Sequence, residues 1–201
     1  LKTHSCLGLY KGQPFTTPEF TLGGVYIVRD PRNVITSVMN HFALNLDEAF
    51  KFMTDTNKNT MDPESEDYRT WVLLSNWSNH YNSWCKSKNF RKLVVKYEDF
   101  ENEKYETFRD IIVFTNTLLS RTERVDRKRL DRAIETTNFN VLKNKEKNEG
   151  FDEALFSKEE KKKKVFFNLG FNNRWKKLLR EDIRKKIEIE FKKEMKELGY
   201  L

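Results

Sequence analysis

Apolar residues in this chain fall into short β-branched runs that alternate with stretches repeating every three to four positions, the pattern of strands followed by helices. The clearest case spans 25–42, VYIVRDPRNVITSVMNHF. Val25, Tyr26, Ile27 and Val28 suit a buried strand, Asp30 supplies an N-cap and Pro31 a first helical residue. A second strand is predicted at 91–96 (RKLVVK), with a helix at 105–119 behind it. The repeated strand–helix alternation predicts an α/β fold with a mainly parallel sheet, built as one domain over 1–201.

Around this frame the periodicity predicts a short helix at 47–53, with Asp47 near its start, and a long one at 68–88. In the second, Trp71, Leu74, Trp77, Tyr81, Trp84 and Cys85 form a stripe that suits core packing or the wall of a ligand pocket. A basic helix is expected at 121–137, ending before Asn138. Residues 143–164 are highly charged and lack a sustained apolar face, so a loop or lid is expected there. The lysines at 161–164 within it read as a solvated run or a polyanion contact. A last helix at 181–198 places Ile183, Ile187, Phe191 and Met195 on one face, with Gly199 as its stop. Residues 1–15 read as the end of a strand and a loop, 16–24 as a connector, and 57–67 as a polar loop able to border a ligand site.

Composition narrows the chemistry. A length of 201 residues with 16 Phe, 7 Tyr and 4 Trp suffices for a core without disulfides or metals, and a net charge of +7 favours anionic partners. Cys6 and Cys85 stand in no metal-ligand spacing, no apolar run approaches the roughly 20 residues of a membrane span, and a soluble, cytoplasmic protein is expected. Because the chain opens at Leu1 on residues that read like the interior of a fold, an N-terminal part is expected to precede it. The seven glycines form neither a Walker-type loop nor a dinucleotide fingerprint, there is no nucleophile elbow, and three scattered histidines argue for no metal. What remains is an anion site where Arg29 and the free N–H groups of the following helix meet, with Ser37 about two turns on. In the Lys2-Thr3-His4 set, His4 is the side chain suited to proton transfer.

Taken together, these segments resemble the sulfotransferases that use 3′-phosphoadenosine 5′-phosphosulfate (PAPS), of the cytosolic and bacterial kind. RDPRNVITSVMNHF is similar to that family's 3′-phosphate segment, which implies that Arg29 and Ser37 hold the 3′-phosphate. LKTH resembles its catalytic strand end, which implies Lys2 as a charge-stabilising cation and His4 as the base. VVKYEDF and ETTNF resemble its adenine elements, giving Tyr97, Thr137 and Phe139. VFFNLGFNNRWKKLL resembles the loop that closes over the 3′-phosphate, giving Asn168 and Gly170, with Trp175 and Lys176 in matching spacing. Asn168 and Leu169 stand where that family carries cations, so Arg174 or a lysine of the 161–164 run is expected to substitute.

The resemblance implies a P-loop-NTPase-like three-layer fold, with the mainly parallel sheet flanked by helices and truncated at its N-terminus. It also implies PAPS as sulfuryl donor, no metal, and an acceptor hydroxyl or amine on a small molecule, lipid or carbohydrate. The family's 5′-phosphosulfate loop would lie upstream of Leu1, so the segment alone is expected to be inactive. Two other readings stay open, a basic polyanion- or nucleic-acid-binding module and a degenerate nucleotide-binding sulfotransferase fold. Nucleic acid is the less expected partner, because charge alone does not explain five motifs in order.

Overall fold

A computed structural model describes residues 1–60, 72–152, 154, 156–157 and 162–201. Its centre is a parallel pair, β3 (Gly23–Val28) beside β6 (Arg91–Lys96), in the register Tyr26↔Val94 and Val28↔Lys96. Three short antiparallel pairs surround it: β1 (Leu9–Tyr10) with β2 (Gln13–Pro14), β4 (Asn59–Thr60) with β5 (Val72–Leu73), and β7 (Phe156–Ser157) with β8 (Lys162–Lys163). The helices are α1 (Pro31–Phe42), α2 (Leu46–Thr54), α3 (Trp77–Cys85), α4 (Asp99–Asn102), α5 (Lys104–Leu118), α6 (Arg127–Thr136), α7 (Phe139–Glu149), α8 (Trp175–Leu178), α9 (Glu181–Glu190) and α10 (Lys192–Glu197). Strands with helices packed against them make the fold α/β, as the alternation predicts.

Local chemistry explains the element that carries the site. Asp30 Oδ1 accepts from Arg32 N at 2.9 Å, capping α1, and Pro31 follows as its first residue. The same Asp30 pairs with Arg32, Nη2 to Oδ2 at 2.7 Å, and Arg32 reaches on to Glu188 of α9 (2.7 Å) and to the Tyr200 carbonyl (2.8 Å) while lying over the Trp175 ring. Glu98, just after β6, accepts from Asp30 N and from the Tyr200 hydroxyl. One buried ionic network thus ties the β3–α1 turn to the end of β6 and to the C-terminus.

The main core is helical: Ile35, Ala49, Met53, Ile183, Ile187, Phe191 and Met195 pack together from α1, α2, α9, α10 and the Phe191 break. The predicted face Ile183–Ile187–Phe191–Met195 is fully buried, although the helix breaks at Phe191 into α9 and α10. A second cluster, Val28, Tyr81 and Leu198, covers one face of the parallel pair.

Other expectations also differ from the structure, and the basic helix expected at 121–137 starts only at Arg127, behind the Asp126 cap. The long helix at 68–88 shrinks to α3, because Ser75 adopts a left-handed φ of 56°, Asn76 caps the helix, and Val72 and Leu73 pair with Thr60 and Asn59. The charged stretch expected as a loop from 143 begins instead as the continuation of α7, started by the Asn138 cap. Residues 1–8 contain no strand, and a hairpin forms at 9–14, where Lys11 and Gly12 both take positive φ as a tight two-residue turn requires. Residues 61–67 of the expected polar loop, 68–71 and Lys161 lie outside the described residues.

Removing the centre of the buried network leaves Asp30 and Glu188 uncompensated. Arg32→Ala is expected to cost about 3–5 kcal/mol in urea unfolding. A loss below about 1 kcal/mol would contradict the role given to this pair.

Candidate functional site

The carboxyl ends of β3 and β6 open on one cleft of about 1780 Å³, and all nine predicted site residues line it: Lys2, His4, Arg29, Ser37, Tyr97, Thr137, Phe139, Asn168 and Gly170. The parallel ladder brings the first pair together, since Tyr97 N donates to Val28 O at 2.7 Å, immediately before Arg29. The Arg29 guanidinium lies over the Tyr97 ring, 4.2 Å from its centroid, and Nη2 donates to the Gly170 carbonyl at 3.2 Å. Arg29 Nε is buried and has no hydrogen-bond partner among the described residues. A cation held flat by a ring, with one buried donor unsatisfied, is suited to an anion.

The segment 166–175 closes the cleft between two helices. From α7, Glu146 accepts from Phe166 N (2.6 Å) and Phe167 N (2.9 Å), and Lys143 Nζ donates to Asn168 O at 3.0 Å. From α1, Asn33 Oδ1 accepts from Trp175 N at 2.8 Å, and Asn40 donates to the Val165 carbonyl. Gly170 begins a single tight turn, Gly170–Asn172, with a φ of 54°. A Cβ at Gly170 would stand 2.6 Å from the Phe139 ring, so only glycine lets that ring close on the loop. Phe139 in turn opens α7 next to the Asn138 cap.

Not every expected residue is poised alike. Ser37 is exposed to the cleft and accepts from Asn173 Nδ2 at 3.0 Å. The Thr137 hydroxyl donates to Ala133 O at 2.6 Å, within its own helix, which leaves its oxygen as an acceptor. Arg174 does not replace the cations absent at Asn168 and Leu169, because it pairs with Glu101 at 2.9 Å. Lys143, which the sequence reading missed, stands beside Asn168 instead.

Lys2 and His4 are exposed where they line the cleft, on a segment pinned along one face of α3. Leu7 N donates to Ser83 Oγ (3.0 Å), Trp84 Nε1 to Ser5 O (2.9 Å), and His80 Nε2 to His4 O (3.1 Å). A carbonyl only accepts, so Nε2 carries the His80 proton and Nδ1 accepts from the Tyr26 hydroxyl at 2.9 Å. His80 and Ser83 were also missed: the aromatic stripe announces packing, and Trp77 and Tyr81 do stack in the core, but it hides this second face. Burial pushes the Cys85 thiol up to about 11 and raises that of Cys6, so both stay neutral thiols. Much of the cleft wall is apolar, with Val34, Val38, Phe42, Phe52, Trp77 and Phe166. Among the described residues no three His, Cys, Asp or Glu side chains are placed to hold a metal, and no helix is long and apolar enough to cross a membrane.

Burial lowers the His80 pKa below its usual value of about 6.5, so between the two values the unfolded chain binds the extra proton. Stability therefore falls as the pH drops from about 6.5 through the folded value. The melting temperature is expected to fall between about pH 7 and about pH 5, and His80→Gln should remove part of that fall. Identical pH profiles for the two proteins would contradict the buried neutral histidine.

Comparison with known proteins gives three findings. The family profile described as the sulfotransferase domain matches residues 21–199. The mouse sulfotransferase SULT7A1, solved with PAP, superposes with a TM-score of 0.60 at 15% identity, covering 92% of this chain and 62% of that one. Retinol dehydratase, solved with PAP and androsterone or with PAP and retinol, gives TM-scores of 0.53 and 0.52 at 19% identity, covering 86% of this chain and 47% of the other. The chain thus spans less than two thirds of the length of these structures. No curated protein matches it. The superpositions establish the fold, the α/β sulfotransferase fold of P-loop type.

Proposed function

The chain belongs to the sulfotransferase-domain family, and from that membership we propose that it moves a sulfuryl group from PAPS to the hydroxyl of a small apolar acceptor. The observation that carries this reading is the Arg29 guanidinium, stacked on Tyr97 with a buried, unsatisfied Nε, in one cleft with Ser37 and His4. Arg29 and Ser37 bind the 3′-phosphate, and Tyr97, Phe139 and Thr137 hold the adenine, with Gly170 and Asn168 closing above. PAPS supplies the sulfuryl group itself. His4 accepts the proton of the acceptor hydroxyl, and Lys2 stabilises negative charge at the transferring end. Transfer of this kind asks the protein for alignment and charge stabilisation rather than a covalent intermediate.

The acceptor assignment rests on the apolar wall of Val34, Phe42, Phe52 and Trp77, which suits a hydrophobic alcohol better than a carbohydrate. Structures of retinol dehydratase that hold androsterone or retinol support the same class. The two neutral thiols support a reducing, cytoplasmic setting.

Calorimetric titration with PAP is expected to give a one-to-one complex that Arg29→Ala weakens at least about tenfold, the loss of one charge-assisted hydrogen bond or more. Salt-sensitive DNA binding indifferent to Arg29, with no PAP complex, would overturn the proposal. In the intact protein, His4→Ala should slow sulfate transfer from labelled PAPS to an apolar alcohol by about 10²–10⁴-fold. Equal rates would remove His4 as the base.

A further inference from the structure

Asn173 is buried at 5% exposure between the tight turn at Gly170–Asn172 and α8, and its amide is fully used. Nδ2 lies 2.9 Å from the Asn33 carbonyl and 3.0 Å from Ser37 Oγ, while Oδ1 accepts from the Thr36 hydroxyl. The Asn33 carbonyl can only accept, which fixes the amide orientation: the nitrogen faces both Asn33 and Ser37. Ser37 Oγ is therefore an acceptor toward Asn173, and its own proton is left to point elsewhere.

A serine in a helix ordinarily turns that proton back to the carbonyl four residues earlier, and for Ser37 that carbonyl belongs to Asn33. Here the Asn33 oxygen already receives Asn173 Nδ2 at 2.9 Å beside the Ser37 N–H of the α1 ladder, while Thr36 gives its one hydroxyl proton to Asn173 Oδ1. One side chain thus occupies the competing acceptor and donates into the hydroxyl oxygen. The Ser37 proton is thereby left for a partner in the cleft that Arg29 also lines.

We propose that Asn173 is a positioning and specificity-determining residue, which presets the Ser37 hydroxyl as a donor and so makes the cleft select nucleotides that carry a 3′-phosphate. The proposal rests on the reading of Arg29 and Ser37 as the 3′-phosphate site. Asn173 does not touch the nucleotide; it acts through Ser37. An amide that merely held the loop in place would affect every adenine nucleotide alike.

The test compares PAP with adenosine 5′-phosphate, which lacks the 3′-phosphate, by calorimetry on wild type, Asn173→Leu, Ser37→Ala and the double variant. Asn173→Leu keeps the side-chain shape and frees the Asn33 carbonyl for Ser37. PAP binding is expected to weaken about tenfold, the scale of one hydrogen bond to a charged group, with adenosine 5′-phosphate changed less than about twofold. In the Ser37→Ala background the second substitution should add nothing. Equal weakening of both nucleotides, no weakening, or a full extra loss in the Ser37→Ala background would each overturn the proposal. Asn173→Ala, which leaves room rather than an apolar side chain, carries the same expectations should Asn173→Leu fail to fold by circular dichroism. If Arg29→Ala leaves PAP affinity unchanged, the phosphate site itself is misassigned; if Arg29→Ala abolishes binding while Asn173→Leu does not discriminate, only the role of Asn173 falls.

Discussion

The ion pair between Asp30 and Arg32 is the interaction on which the rest of the structure depends. Both side chains are nearly dry, so each charge is tolerable only because the other and Glu188 are there. Asp30 caps α1 through Oδ1 and holds the Arg32 guanidinium with both oxygens, so the charge pair and the helix start are one device. Through Glu98 and Tyr200 the same network fixes where β6 ends and where the C-terminal helix lies. The candidate anion site sits one residue upstream, at Arg29, and inherits its rigidity.

From that anchor, three chain segments converge on one cleft by separate means. The strand ladder sets Tyr97 under Arg29, asparagines on α1 clasp the loop that carries Gly170, and α3 strings His4 along its polar face. The resulting cleft combines a cation stacked on an aromatic ring with an apolar wall. Membership of the sulfotransferase-domain family gives this arrangement its chemical meaning.

Much of this was legible in the sequence where the signal is local or periodic. Asp30-Pro31 announces the start of α1, RKLVVK marks β6, and the four-residue repeat from Ile183 to Met195 marks the buried C-terminal face. The nine candidate residues follow from the order of short motifs along the chain, which needs no knowledge of packing, and all nine line one cleft. The helix expected at 68–88 failed because the repeat of Leu74, Trp77 and Tyr81 says nothing of the positive φ at Ser75. Residues 143–149 looked too charged to fold, yet Lys143 and Glu146 use that charge to hold the backbone at 166–168. Asn173 and His80 act through amide and ring atoms paired with groups far away in sequence, and no spacing rule exposes such contacts.

The central claim is that Arg29 and Ser37 hold the 3′-phosphate of the donor nucleotide. A crystal structure of the complex with PAP tests it most directly. The 3′-phosphate is expected within hydrogen-bond distance of Arg29 Nε and Ser37 Oγ, with the adenine between Tyr97 and Phe139. A 3′-phosphate bound away from Arg29, with its Nε still unpartnered, would contradict it.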